Sequence, residues 1–370
     1  MPVRFKPLLL ILLLILTVTA CTSTPPASPP DDPNDSQQGQ NPPDNDSEPD
    51  PDPEPPFDFA TYQPNELGRI PVFMYHNIGE PEAEWVRTAD NFRNDLQRFY
   101  DAGFRLVSMT DVINDNIDIP AGTSPLVLTF DDGPRNNFNL IKDETGEIVL
   151  DPDSAVAIIL DFAERNPEMG TAATFYLNFP HPFSQTDSWY TAEHRNWKLE
   201  QLVEWGMEIG NHTYTHPHLS RDIDSEEQLL REMGGGQVFI ESVLPGYKMN
   251  SLALPFGSRP KEEWQHLAHR GVYEGVEYQH DIILLVGSHP AHPPNHRDYS
   301  PRAMPRIRAS NYGGDFLDNA LKQLESNRYI SDGDPDTITI PETMKEYLDA
   351  ETLGDKSLRV YDPVEFKEVE

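Results

Sequence analysis

Two observations predict an α/β fold on a mainly parallel sheet, open or closed into a barrel. Short apolar runs bounded by turn residues alternate with stretches of helical periodicity, and the folded part shows neither an internal repeat nor a second Pro/Ser-rich break. In such folds chemistry gathers at the C-terminal ends of the strands.

The first strand lies in "IPVFMYHNIGE", where Ile70, Val72, Phe73 and Met74 are bounded by Pro71 and Gly79. It delivers Tyr75, His76 and Asn77 at its end; taken alone, a histidine there is a core-edge residue satisfied by a backbone carbonyl. Phe92, Leu96, Phe99 and Tyr100 recur at helical spacing until Gly103. "FRLVSM" (104–109) and "PLVLTF" (125–130) are predicted strands, followed by a helix from Ser154 with Val156, Ile159, Leu160 and Ala163 on one face. "AATFYLNF" (172–179) is a strand, "NWKLEQLVEWG" a helix ending at Gly206, and "MEIG" (207–210) a short strand. The helical run from Ser225 to Leu244 is expected to weaken or break at Gly234, Gly235 and Gly236.

The chain has 370 residues, 37% hydrophobic, with a formal net charge of −34. That charge excludes nucleic acid as a partner, because nucleic-acid binding needs a basic footprint. It suits either a cationic polymer or plain solubility. A single cysteine, Cys21, rules out an internal disulfide and a thiolate metal cluster.

The location of Cys21 explains it. Arg4 and Lys6 precede the apolar run 8–19, too short for a comfortable membrane span, and Val18-Thr19-Ala20-Cys21 resembles a bacterial lipobox. Residues 1–20 then form a lipoprotein signal peptide, and acylated Cys21 inserts into membrane lipid. The stretch to residue 64 is rich in Pro, Asp, Ser, Asn and Gln and is expected to be a disordered tether on the order of 100 Å long. The folded domain is expected over 65–370, extracytoplasmic and lipid-anchored, with a monomer assumed.

The strand at 125–130 runs into Asp131, Asp132, Gly133 and Pro134. Adjacent carboxylates raise each other's pKa, and a cation neutralising one of them resolves the conflict; in isolation "DDGP" is a solvated turn. "MEIGNHTYTHPHLS" supplies a partner, with His212 and His216 four apart directly after a strand. Imidazoles and one carboxylate suit zinc or a similar divalent ion.

On "TFDDGP" (129–134), "ATFYL" (173–177), "HTYTH" (212–216) and "ALPFG" (253–257), the chain resembles the polysaccharide deacetylases of carbohydrate esterase family 4. The resemblance runs from about Ile70 to at least Gly257. It implies a distorted (β/α) barrel of fewer than eight repeats and hydrolysis of N- or O-acetyl groups on glycans. It further implies a divalent metal (zinc first, cobalt or manganese as alternatives) held by Asp132, His212 and His216, with Asp131 as general base. Phe256, beside Pro255, would offer a backbone N–H to the oxyanion.

The chain departs from the family twice. The family's third motif often carries an arginine that buttresses the base, where this chain has Ala253; Arg306 is the candidate replacement, with Arg259 behind it. The family's closing Leu-x-His motif, whose histidine is the general acid, has no counterpart after His296. The opening strand resembles a branch with circularly permuted motifs, in which the first strand supplies the acid. That makes His76 the acid, with His289, His292 and His296 as competitors. Trp189 is a candidate for stacking on a sugar; Trp197 is assigned to the core.

The reading is a metal-dependent glycan deacetylase at the cell envelope. Substrates left open are N-acetylglucosamine polymers, peptidoglycan, chitin-like oligomers and acetylated xylan. The rival reading is a metal-containing barrel that binds glycan without turning it over.

Overall fold

The computed structural model describes residues 57–369 except Ser288. The signal segment, Cys21 and the expected tether up to residue 56 lie outside the described residues. Asp58–Glu370 form one compact unit. Its first helical turn, Phe59–Tyr62, is capped by Asp58, and Phe59 stacks on Tyr361 at 4.8 Å. Residues 58–64 therefore belong to the folded unit, which begins earlier than the sequence suggests.

Four parallel strands form the middle of the sheet: β1 (Val72–Tyr75), β2 (Phe104–Leu106), β3 (Ser124–Phe130) and β4 (Thr174–Leu177). Helix α1 (Ala89–Asp101) joins β1 to β2, and α2 (Ala155–Arg165) lies between β3 and β4. Every residue of β3 is buried, as expected of a parallel strand covered on both faces. Each fully buried Leu, Val or Phe there contributes about 1.5–3 kcal/mol. α1 turns Phe92, Leu96 and Phe99 inward and starts at Thr88, whose hydroxyl accepts the Asn91 N–H. The "FRLVSM" run is strand only to Leu106. Ser108 instead caps a short helix, Met109–Ile113, its hydroxyl accepting the Asp111 N–H while the Asp111 carboxylate accepts the Ser108 N–H.

Beyond β4 come α3 (Ala192–Glu204), β5 (Glu208–Asn211), α4 (Glu226–Val243), β6 (Ser251–Ala253), β7 (Ile282–Leu284) and β8 (Ile307–Arg308). The eight-stranded sheet runs β7-β6-β5-β4-β3-β1-β8, with β2 alongside the first half of β3. It curls so far that one segment joins its two edges: Met304 bridges Leu284 of β7, and four residues on Arg308 pairs with Met74 of β1. This is the distorted barrel, with the first strand beside the last.

α4 does not break. It runs through Gly234, Gly235 and Gly236, all buried, because three neighbours occupy the places of their missing side chains. A Cβ on Gly234 would lie 2.5 Å from the Tyr273 Cβ, on Gly235 2.7 Å from a Tyr214 ring carbon, and on Gly236 2.6 Å from a Phe179 ring carbon. The packing gained by this approach outweighs a propensity penalty of about 1 kcal/mol per glycine. Past β8, α5 (Phe316–Asn327) leads to a small sheet of β9 (Thr337–Pro341), β10 (Ser357–Asp362) and β11 (Lys367–Val369). Among the described residues no helix is long and apolar enough to cross a membrane.

Candidate active site

β3 ends in a reversal that separates its two aspartates. Asp132 (φ 73°) and Gly133 (φ 62°) are both left-handed, a conformation Asp tolerates. The left-handed backbone favours glycine at Gly133, and a Cβ there would also come 2.7 Å from Leu177 Cδ2. Asp131, pinned by its N–H to the Tyr75 carbonyl (3.0 Å), turns inward. Asp132 is partly exposed and turns toward the loop after β5.

Asp131 is 2% exposed and meets Arg306, which is 0% exposed, in a two-pronged pair: Nη1–Oδ1 and Nη2–Oδ2 are each 2.7 Å. Two further guanidinium donors are satisfied, Nε by the Leu285 carbonyl at 3.0 Å and Nη1 also by Thr129 Oγ1 at 3.2 Å. Burial pushes the Asp131 carboxyl up, but Arg306 and then His212 outweigh it and hold the group ionised, well below the usual carboxylate range. Arg259, the second candidate for this position, donates instead to the Arg302 carbonyl.

The two histidines converge on the other aspartate. His212 Nε2 and His216 Nε2 each lie 3.3 Å from Asp132 Oδ1, whereas Asp131 Oδ2 is 3.9 Å from His212 Nε2. His212 Nδ1 is 2.8 Å from the Ala253 carbonyl, which can only accept, so Nδ1 carries a proton and, in the neutral ring, Nε2 is the atom with the lone pair. Asp132, His212 and His216 thus present three ligand atoms within 4.8 Å of one another. Burial lowers the His212 pKa, yet Asp131 and Asp132 overcome it and raise the group. A proton on His212 or a divalent cation among the ligands answers the same negative field, so the donor set fits the metal.

α4 and the turn itself hold the loop. Thr213 (φ 67°) and His216 (φ 60°) are left-handed, and Thr213 Oγ1 accepts the His216 N–H at 3.1 Å. Glu232 of α4 is buried and takes both the Thr215 N–H (2.7 Å) and hydroxyl (2.8 Å), and its carbonyl takes the Tyr214 N–H (3.0 Å). Asn211 caps the Thr213 N–H at 2.9 Å. Sequence reasoning missed Glu232; no spacing connects it to the histidine loop.

His76 reaches the same centre from β1, with Nε2 4.0 Å from Asp131 Oδ2. Its ring packs on Trp85 at 4.7 Å, and burial lowers its pKa against the pull of Asp131 and Asp132. Phe256 (φ 57°) follows the buried Pro255 in the turn after β6, its ring edge-on to His216 at 4.7 Å. Two exposed aromatics therefore flank the centre, Trp85 at 41% and Phe256 at 64%. Trp189, the sequence's sugar-stacking candidate, is half-buried and packs edge-on to His194 at 5.6 Å, and Trp197 lies against the core. The competing histidines are elsewhere. Ala291 pairs with Ile70, ahead of β1, whereas His76 follows β1's far end.

A family model described as polysaccharide deacetylase matches residues 167–274. That stretch of the chain is similar to polysaccharide deacetylases. The match runs from just ahead of β4 to the turn of the hairpin 270–279 and includes both histidines and Phe256, while Asp131, Asp132, His76 and Arg306 lie outside it. A search of curated proteins found no match. Among solved structures, the chain is similar to a Streptococcus pyogenes deacetylase, PplD, in complex with acetate. Identity is 19% and the TM-score 0.47, over 69% of this chain and 97% of that one. It is also similar to a polysaccharide deacetylase from Bacillus cereus (18% identity, TM-score 0.47, 68% of each chain). A third is IcaB from Ammonifex degensii (16% identity, TM-score 0.43, 66% of this chain and 92% of that one).

Proposed function

We propose that the deacetylase domain removes acetyl groups from an N-acetylglucosamine-containing glycan at the cell envelope, using a divalent metal held by Asp132, His212 and His216. A divalent cation there supplies Lewis acidity, acidifying water and favouring negative charge on the acetyl oxygen. Asp131, kept ionised by Arg306, takes a proton from the water that attacks the acetyl carbon. The Phe256 N–H is the donor for the carbonyl oxygen as it gains charge. His76 protonates the departing amine as the C–N bond breaks, leaving acetate and a free amino sugar.

One observation carries this reading: the adjacent aspartates have different partners. Asp132 lies with the two imidazoles, and Asp131 is buried against an arginine beside them. A protein that only bound glycan would have no use for a second, non-coordinating carboxylate at that cost in desolvation. Arg306 gives Asp131 an arginine partner although Ala253 stands where the family's motif often has one, and that missing arginine is what lends the binding-only reading some footing.

Acetate release across N-acetylglucosamine oligomers, peptidoglycan and acetylated xylan, with zinc, cobalt or manganese, tests the proposal. Release from the amide-linked substrates is expected. Glycan binding with no release from any of them would favour the binding-only reading. Lipidation at Cys21 belongs to the same proposal, and it requires that labelled fatty acid be incorporated by the full chain and not by Cys21→Ala.

A further inference from the structure

The geometry points to a second divalent-cation site, formed by His292, His296 and Asp298 at the opposite end of the barrel from the deacetylase centre. It does not depend on the deacetylase reading. Ile70 and Ala291 exchange backbone hydrogen bonds (3.0 and 2.8 Å) just ahead of β1, and His76 follows the other end of that strand. Six residues of extended chain separate the two ends by roughly 20 Å.

The donors lie within reach of a single ion. The rings of His292 and His296 have centroids 3.7 Å apart, and one ligand atom from each of the three side chains lies within 4.8 Å of the others. Asp298 Oδ2 is 3.8 Å from His296 Nδ1. His292 Nδ1 is buried with no hydrogen-bond partner, a state proteins avoid and a coordinated ion would relieve. His296 is buried and braced by Tyr347 at 5.6 Å, and its Nδ1 lone pair already faces a donor, the Asp298 N–H at 3.0 Å. An ion would take that donor's place.

Two imidazoles and a carboxylate suit zinc, and nickel or copper by the general order of affinities. A cavity of about 480 Å³, lined in part by Arg69, His292, Asp298 and Gln323, gives access and room for water ligands. The Arg69 guanidinium works against a cation here, which places the affinity below that of the Asp132 site. The consequence is structural: the segment that leaves this cluster becomes the closing strand and carries Arg306.

Zinc stoichiometry, measured on the full chain by equilibrium dialysis and elemental analysis, tests the site. Wild type is expected to bind two ions, and His292→Ala and Asp298→Asn one each. Asp298 guards against misfolding as an explanation, because its side chain is 62% exposed. One ion in wild type that His292→Ala retains, or two that it retains, would overturn the inference. One ion that His292→Ala loses would support this site while removing the metal from the deacetylase proposal. Zinc is also expected to raise the melting temperature of His216→Ala but not of His216→Ala/His292→Ala.

Discussion

Arg306, just ahead of the strand that closes the barrel, grips Asp131, just past the end of β3, with both guanidinium prongs at 2.7 Å. A lysine offers one point charge in place of that fork. Arg306→Lys is expected to lower acetate release on the order of a hundredfold by loosening the base. Arg306→Ala, which strands a buried carboxylate, is expected to cost about 3–5 kcal/mol in chemical denaturation.

His76 is proposed to protonate an amine, and a substrate whose leaving group needs no proton isolates that role. His76→Gln is expected to slow N-acetylglucosamine oligomers by roughly 10²–10⁴ while sparing an aryl acetate. Equal losses on both substrates would assign His76 to structure.

The Gly235 position faces Tyr214, between the two metal-candidate histidines. Alanine gains about 1 kcal/mol of helix propensity. It also places a Cβ 2.7 Å from the Tyr214 ring, and overpacking of this kind costs about 1–3 kcal/mol. Gly235→Ala is therefore expected to destabilise in urea titration and weaken zinc binding, with the clash outweighing the propensity.

Lys198 is buried, donating to the Phe183 carbonyl (3.1 Å) and Gln185 Oε1 (2.7 Å), and Phe183 in turn donates its N–H to the Gly133 carbonyl (2.8 Å). Burial first, and Arg135 second, bring its ammonium down to about 7. The unfolded chain holds that proton to about 10.4. Between those values the unfolded state binds more protons, so this group makes stability rise with pH from about 7 to about 10 and contributes no slope below. Relative to Lys198→Met, wild type is expected to gain ~2–3 kcal/mol between pH 7 and pH 9.5. A difference that stays flat across that range would contradict the burial of a titrating amine.

The strands were legible because burial on both faces of a parallel sheet demands apolar runs, and Asp131, Asp132, His212 and His216 because they follow those runs directly. Arg306 and Arg259 could be named from a missing partner at Ala253, but only the closing of the barrel distinguishes them. Trp85 and Glu232 carry no pattern: each reaches the site across a loop or from a helix face. The glycine triplet misleads for the same reason. Propensity is local, and the residues that require those glycines, Tyr273, Tyr214 and Phe179, come from three other segments.

The division of labour between the adjacent aspartates is tested most directly by acetate release from Asp131→Asn, with bound metal quantified in the same sample. Metal content equal to wild type and a rate lower by about a hundredfold or more are expected. A variant that still turned over at the wild-type rate, or that lost its metal along with its activity, would contradict the account.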